Sequence, residues 1–170
     1  VVLFPERVGG RYVALTRPMP GSFGRMLGIW MATSADLVDW GRHKPVALPR
    51  WEHWDEIRTG ASAVPFRTSE GWLELYHGVD RSGRYAMGGL LMDLKNPYAV
   101  LGRSADPILA PEDPYEHVGL YGNVVFSCGH VPLDDRGERI RRYYGAAASC
   151  FAVAAFTVAA LIEGNAAAVN

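Results

Sequence analysis

The chain has 170 residues, 49% hydrophobic and 21% charged, a composition that suits a globular domain with a substantial core and excludes a disordered one. It carries 17 Lys and Arg against 18 Asp and Glu, and a formal net charge of -1 gives no electrostatic case for nucleic acid or an anionic membrane as partner. No metal-ligand cluster, Walker-type loop or Rossmann glycine pattern is present, so no metal or cofactor is expected.

In chain order, residues 1–4 read as a strand that Pro5 ends, and Gly9-Gly10 form a hairpin turn into a second strand over 11–17. No basic region precedes an apolar one here, so the start is not read as a signal peptide; it resembles the middle of a strand, with sequence expected upstream. Pro18, Pro20 and Gly21 break the chain before an apolar strand over 26–33. Residues 34–40 carry Ser34, Asp36 and Asp39 and predict a tight turn in which Asp caps backbone N–H groups. Residues 44–57, with two prolines and two tryptophans, predict an irregular connector with one edge strand.

The stretch over 58–66 is small and Gly/Ala-rich, backbone that can approach a ligand closely. Residues 72–78 alternate apolar and polar positions as a half-buried strand does, and His77 stands at its end before a glycine. A turn over 80–83 leads to a strand over 85–93. Pro107, Pro111 and Pro114 punctuate a further connector, and Val124-Val125-Phe126 reads as a buried strand. A turn over 134–137, a last hairpin over 140–144 and 151–157, a helical turn over 159–163 and a disordered tail over 164–170 complete the reading. The uncharged run over 145–162 just reaches the length of a membrane helix, but a strand pair followed by a short helix explains it equally well. Cys128 and Cys150 lie in separate apolar segments and are expected to be reduced core thiols of a cytoplasmic protein.

About ten short strands with almost no helix make the class all-β. The strand over 72–78 also recurs. Aligning it with 10–18 and 139–145 makes Arg17, His77 and Tyr144 equivalent, at spacings of 60 and 67 residues. Such a repeat is the signature of propeller blades, here roughly 1–57, 58–118 and 119–163. Propellers close with about 4 to 8 blades, so these residues predict a partial propeller of about three, or one that associates through its open sheet edges.

Leu3-Phe4-Pro5-Glu6, Leu15-Thr16-Arg17-Pro18, Gly71-Trp72-Leu73 with Tyr76-His77-Gly78-Val79, Tyr115-Glu116, Asn123-Val124-Val125-Phe126 with Cys128-Gly129, and Tyr143-Tyr144-Gly145-Ala146-Ala147 together resemble glycoside hydrolase family 130. The resemblance covers nearly the whole chain and corresponds to the C-terminal part of a family member. It implies a five-bladed β-propeller that cleaves β-mannosides, by phosphorolysis to mannose 1-phosphate or, in some members, by hydrolysis. It further implies that Arg17 and His77 hold phosphate, with Arg58 where the phosphorylases usually have lysine, and that Tyr85 and Asn123 touch the sugar. Inorganic phosphate is then a co-substrate and a mannoside the other partner.

The family's general acid, an aspartate in an Asp-Pro-Arg context in the N-terminal blades, has no counterpart in these residues, and its Gly-Ala-Ala-Asp-Thr reads Gly145-Ala146-Ala147-Ala148-Ser149 here. A non-catalytic carbohydrate-binding or scaffolding remnant and a β-mannosidase-type hydrolase stay open beside the phosphorylase reading. Each site residue also has a plainer role open to it. Arg17 fits a surface arginine before a proline turn, His77 a core histidine, Arg58 a solvated charge, and Tyr85 and Asn123 packing and turn residues. The five tryptophans suit core packing better than sugar stacking, given the apolar area each buries.

Overall fold

The computed structural model describes residues 1–19, 27–134 and 136–166. They form three antiparallel sheets and two short helices, so the chain is all-β as expected.

The first sheet takes β1 (Val2–Leu3), β2 (Tyr12–Thr16), β3 (Ile29–Ser34) and β4 (Trp40–Ala47) in chain order. Gly9 and Gly10, at φ +58° and +77°, make the turn that the bridge between Val8 and Arg11 closes. Met26, Pro20 and Gly21, part of the strand and break expected here, lie outside the described residues. The turn before β4 is capped as expected: Asp36 Oδ1 accepts from the N–H groups of Val38 and Asp39, both at 2.9 Å. The edge strand β4 starts at Trp40 rather than Lys44, so Trp40 belongs to the sheet and not to the turn.

The second sheet has β5 (Arg58–Gly60), β7 (Trp72–Val79), β8 (Tyr85–Met92) and β9 (Val100–Arg103) side by side, and β6 (Phe66–Arg67) pairs with the start of β7 while β5 pairs with its end. The third takes β10 (Val125–Pro132), β11 (Arg139–Ala146) and β12 (Cys150–Thr157). Helix α1 (Pro114–His117) stands before it and α2 (Val158–Ala166) continues from β12. The uncharged run is therefore split between β11, β12 and α2, and among the described residues no helix is long and apolar enough to cross a membrane. The described part of the expected tail, 164–166, is helical.

The strand over 72–78 is not half-buried: all eight residues of β7 are buried, because the second sheet lies between the other two. Trp72 and Tyr76 pack with Phe4, Leu15 and Met31 of the first sheet's region, while Leu73 and Leu75 pack with Ile140 and Leu161 of the third sheet and α2. Cys128 and Cys150 are free but exposed, not core thiols. Cys128 sits on β10 and Cys150 opens β12, where Phe151 is exposed beside it.

Helix α1 stands where Pro114 predicts a connector. Proline suits the first helical turn, where its missing N–H costs nothing, and the Glu116 carboxylate accepts the Asp113 N–H at 2.9 Å.

Candidate functional site

Arg17 follows β2 directly, and His77 stands near the end of β7, opposite Gly60 of β5. The two come together from different sheets: Arg17 Nη1 lies 3.3 Å from His77 Nε2. Gly60 makes room for them, since a Cβ there would sit 2.6 Å from His77 Nε2 and 3.0 Å from Arg17 Nη1. Within the stretch over 58–66 it is Gly60 whose backbone two side chains approach closely.

His77 is 5% exposed, and burial, then the charges of Arg17 and Arg58, push its imidazole down to about 3. It is a neutral ring at neutral pH, so the positive charge of the site comes from the two arginines. On its other side Nδ1 lies 3.0 Å from Ser62 Oγ, and the Ser62 N–H donates to Glu74 Oε1 at 2.7 Å. Glu74 is fully buried, and burial pushes its carboxyl up to about 8.

Arg58, Val79 and Tyr85 form one row across β5, β7 and β8. That row carries the Arg58 guanidinium over the Tyr85 ring, 5.3 Å from its centroid, and leaves Arg58 Nε buried without a hydrogen-bond partner. The His77 ring is 6.1 Å from Tyr85 and 4.7 Å from Phe126. Arg17, Arg58, His77 and Tyr85 are therefore neighbours: two guanidinium groups flank an aromatic wall, an arrangement that can hold a small oxyanion beside an apolar ring face.

Asn123 joins less directly. Its carbonyl accepts from the Tyr85 N–H at 3.0 Å, its backbone takes φ +59°, and its side-chain Oδ1 lies 2.7 Å from His117 Nδ1. Tyr144, the third member of the repeat alignment, is bonded elsewhere, its hydroxyl donating to Glu116 Oε1 at 2.7 Å. Beside Tyr85 opens a pocket of about 500 Å³ lined by Tyr121, Phe126, Leu120, Cys128 and Ala148 among others.

Sequence reasoning missed Ser62, Glu74 and Asp55. Asp55 is fully buried and accepts from Arg50, Arg103 and the Tyr76 hydroxyl at 2.6 to 3.1 Å, which ties the segment after β4 to β7 and β9. Ser62 and Glu74 lie among apolar or small residues and Asp55 in a polar connector, contexts in which a polar side chain reads as outward-facing; the partners that bury them come mostly from other elements. Of the tryptophans, Trp54 and Trp72 are in the core, and Trp51 is exposed with Arg81 over its ring at 4.1 Å.

Residues 1–164 match glycoside hydrolase family 130, described as beta-1,4-mannooligosaccharide phosphorylase. The chain is 44% identical over 147 residues to a beta-1,2-mannobiose phosphorylase of Listeria innocua, covering 86% of this chain and 40% of that protein. It is 36% identical over 165 residues to a beta-1,4-mannooligosaccharide phosphorylase of Ruminococcus albus, covering 95% and 49%. The solved Listeria innocua beta-1,2-mannobiose phosphorylase, in complex with beta-1,2-mannobiose, superimposes with a TM-score of 0.90 at 39% identity, over 96% of this chain and 45% of that one. The chain thus spans less than half the length of each of these relatives.

Proposed function

The chain belongs to glycoside hydrolase family 130, and from that premise we propose that it forms part of a β-mannoside phosphorylase built on a five-bladed β-propeller. Arg17 and Arg58 hold inorganic phosphate beside His77, and the mannosyl unit lies toward Tyr85 and Asn123. The observation that carries this reading is the pair of guanidinium groups converging on a neutral, buried His77 in a chain whose relatives are phosphorylases by name.

The chemistry asks little more of these residues. Phosphate is already a nucleophile and needs orientation more than activation. Forked guanidinium groups match its oxygens in shape and charge and aim it at the anomeric carbon. One phosphate oxygen bonds to that carbon as the glycosidic C–O bond breaks, and the leaving oxygen takes a proton, giving mannose 1-phosphate and a free sugar hydroxyl. No second carboxylate is required, unlike an inverting hydrolase that must activate water. The proton donor is proposed to come from the N-terminal blades of the family's propeller, because the Asp-Pro-Arg context is absent from these residues. The protein is proposed to act in the cytoplasm.

A second reading, a non-catalytic carbohydrate-binding remnant, draws support from Ala148, which puts a methyl group in the pocket beside Tyr85 where the family has a carboxylate; a hydrolase is the third. The retained arginine pair weighs against both. Incubating a protein that joins this chain to the N-terminal blades of a relative with β-1,2-mannobiose and phosphate separates the readings. Mannose 1-phosphate as product is expected. Free mannose alone, independent of phosphate, would overturn the phosphorylase reading, and no product at all would favour the remnant.

A further inference from the structure

We propose that the Glu74 carboxyl and the Arg142 guanidinium hold a buried water molecule between them, behind the wall of a cavity where the three sheets meet. The inference goes beyond the phosphate reading and does not depend on it.

The place for it is a break in one strand. β5 pairs with β7 as far as Gly60 opposite His77, and β6 resumes with Phe66 opposite Leu73, so residues 61–65 leave the edge of β7 without strand pairing in between. Arg142 of β11 reaches into that break, where its Nη2 donates to Leu75 O at 2.9 Å, while its Nη1 donates to His130 Nδ1 at 3.1 Å. Glu74 meets the same break from β7. Its Oε1 accepts from the Ser62 N–H at 2.7 Å, and the Ala63 N–H lies close enough to favour the ionised carboxylate.

Both side chains are fully buried, and each keeps one buried atom without a hydrogen-bond partner, Glu74 Oε2 and Arg142 Nε. The two groups feel each other's charge, yet these atoms are not bonded to one another. Two polar atoms left unpaired at one place cost the desolvation of both, and a water between them removes that cost. Water also suits either protonation state of the carboxyl, whereas an ion suits at most one. It accepts from the Arg142 Nε–H in both, and it donates to Oε2 when that oxygen is ionised or accepts from it when burial keeps it protonated. There is room beside the break. A cavity of about 350 Å³ is lined by Val2 of β1, Ser62, Ala63 and His130 of β10 among others, so it touches the groups that hold Glu74 on one side and Arg142 on the other. Solvent reaches the break from there.

Two measurements on the whole chain test this. In water-selective spectra the Arg142 Nε–H is expected to show cross peaks to the water line that change sign between the laboratory and rotating frames, the pattern of a long-lived bound water and not of proton exchange. Relaxation dispersion of ¹⁷O in solvent water is expected to lose about one long-lived water in the Glu74→Leu, Arg142→Met double variant, which replaces both groups by apolar ones. Removing the two charges together strands neither, so the double variant is expected to fold. Should it fail to, the cross peaks of the unaltered chain decide alone. No water cross peak at the Arg142 Nε–H of the unaltered chain overturns the proposal. So does a folded double variant whose dispersion is undiminished.

Discussion

Gly60 faces His77 across β5 and β7, and the absence of one methyl group there decides whether Arg17 can reach the ring. Gly60→Ala is expected to part the Arg17–His77 contact and to weaken phosphate binding about tenfold or more, at an overpacking cost of roughly 1–3 kcal/mol. Phosphate titration and urea unfolding of the same variant read both effects. Asp55 is the opposite case, a buried carboxylate whose value is structural. Asp55→Ala strands the Arg50 and Arg103 guanidinium groups and is expected to cost about 3–5 kcal/mol in urea unfolding. That Arg17 and His77 meet was legible in the repeat alignment, whereas Arg58 was singled out by the family resemblance alone. Ser62, Glu74 and Asp55 were not legible, because a polar side chain next to apolar ones means outward-facing in one context and buried and paired in another. Only the fold chooses between them.

At the scale of elements, β7 shows how position can be read correctly and environment missed. Its alternation of Trp72, Glu74 and Tyr76 with Leu73, Leu75 and His77 locates a strand, yet both faces are covered, one by the first sheet and one by the third sheet with α2. Alternation with a single charged residue does not distinguish a half-solvated strand from one whose lone carboxylate is buried. Trp72→Ala is expected to cost about 3–5 kcal/mol, and Phe151→Ala, on the open face of β12 and 82% exposed, to stay within about 0.5 kcal/mol. Chemical denaturation of the pair checks the contrast. Helix α1 escaped the sequence because proline marks breaks and helix starts alike. Strand β4 begins at Trp40, directly after the turn that Ser34 and Asp36 cap, and the turn residues mask its start in the sequence.

Across the whole molecule, the buried His77 and Glu74 and the half-buried His130 set how stability varies with pH near neutrality. His77 and His130 are held neutral, down to about 3 and about 4, by burial first and then by neighbouring arginines, against an ordinary 6.5. Below pH 6.5 the unfolded chain binds protons that the folded one refuses, so both contributions are lost as pH falls from 6.5 toward those values. Glu74 acts in the other direction. Burial raises its carboxyl from 4.5 to about 8, so the folded chain holds an extra proton over that span and stability falls as pH rises through it. Two protons oppose one below pH 6.5 and one acts alone above it, which places the maximum of thermal stability near pH 6.5. Thermal midpoints from pH 5 to 8 measure it, and Glu74→Gln is expected to flatten the alkaline side. At this scale the all-β class was plain from the turn spacing, and the pairing of Arg17 with His77 followed from the repeat. The burial that neutralises His77 was not, since it depends on a third sheet far along the chain.

The central claim is that the arginines at His77 form a phosphate site, and calorimetric titration of the chain with inorganic phosphate tests it most directly. Saturable binding that disappears in the Arg17→Ala, Arg58→Ala double variant is the predicted result. No binding by the unaltered chain, or binding unchanged in the double variant, would contradict it.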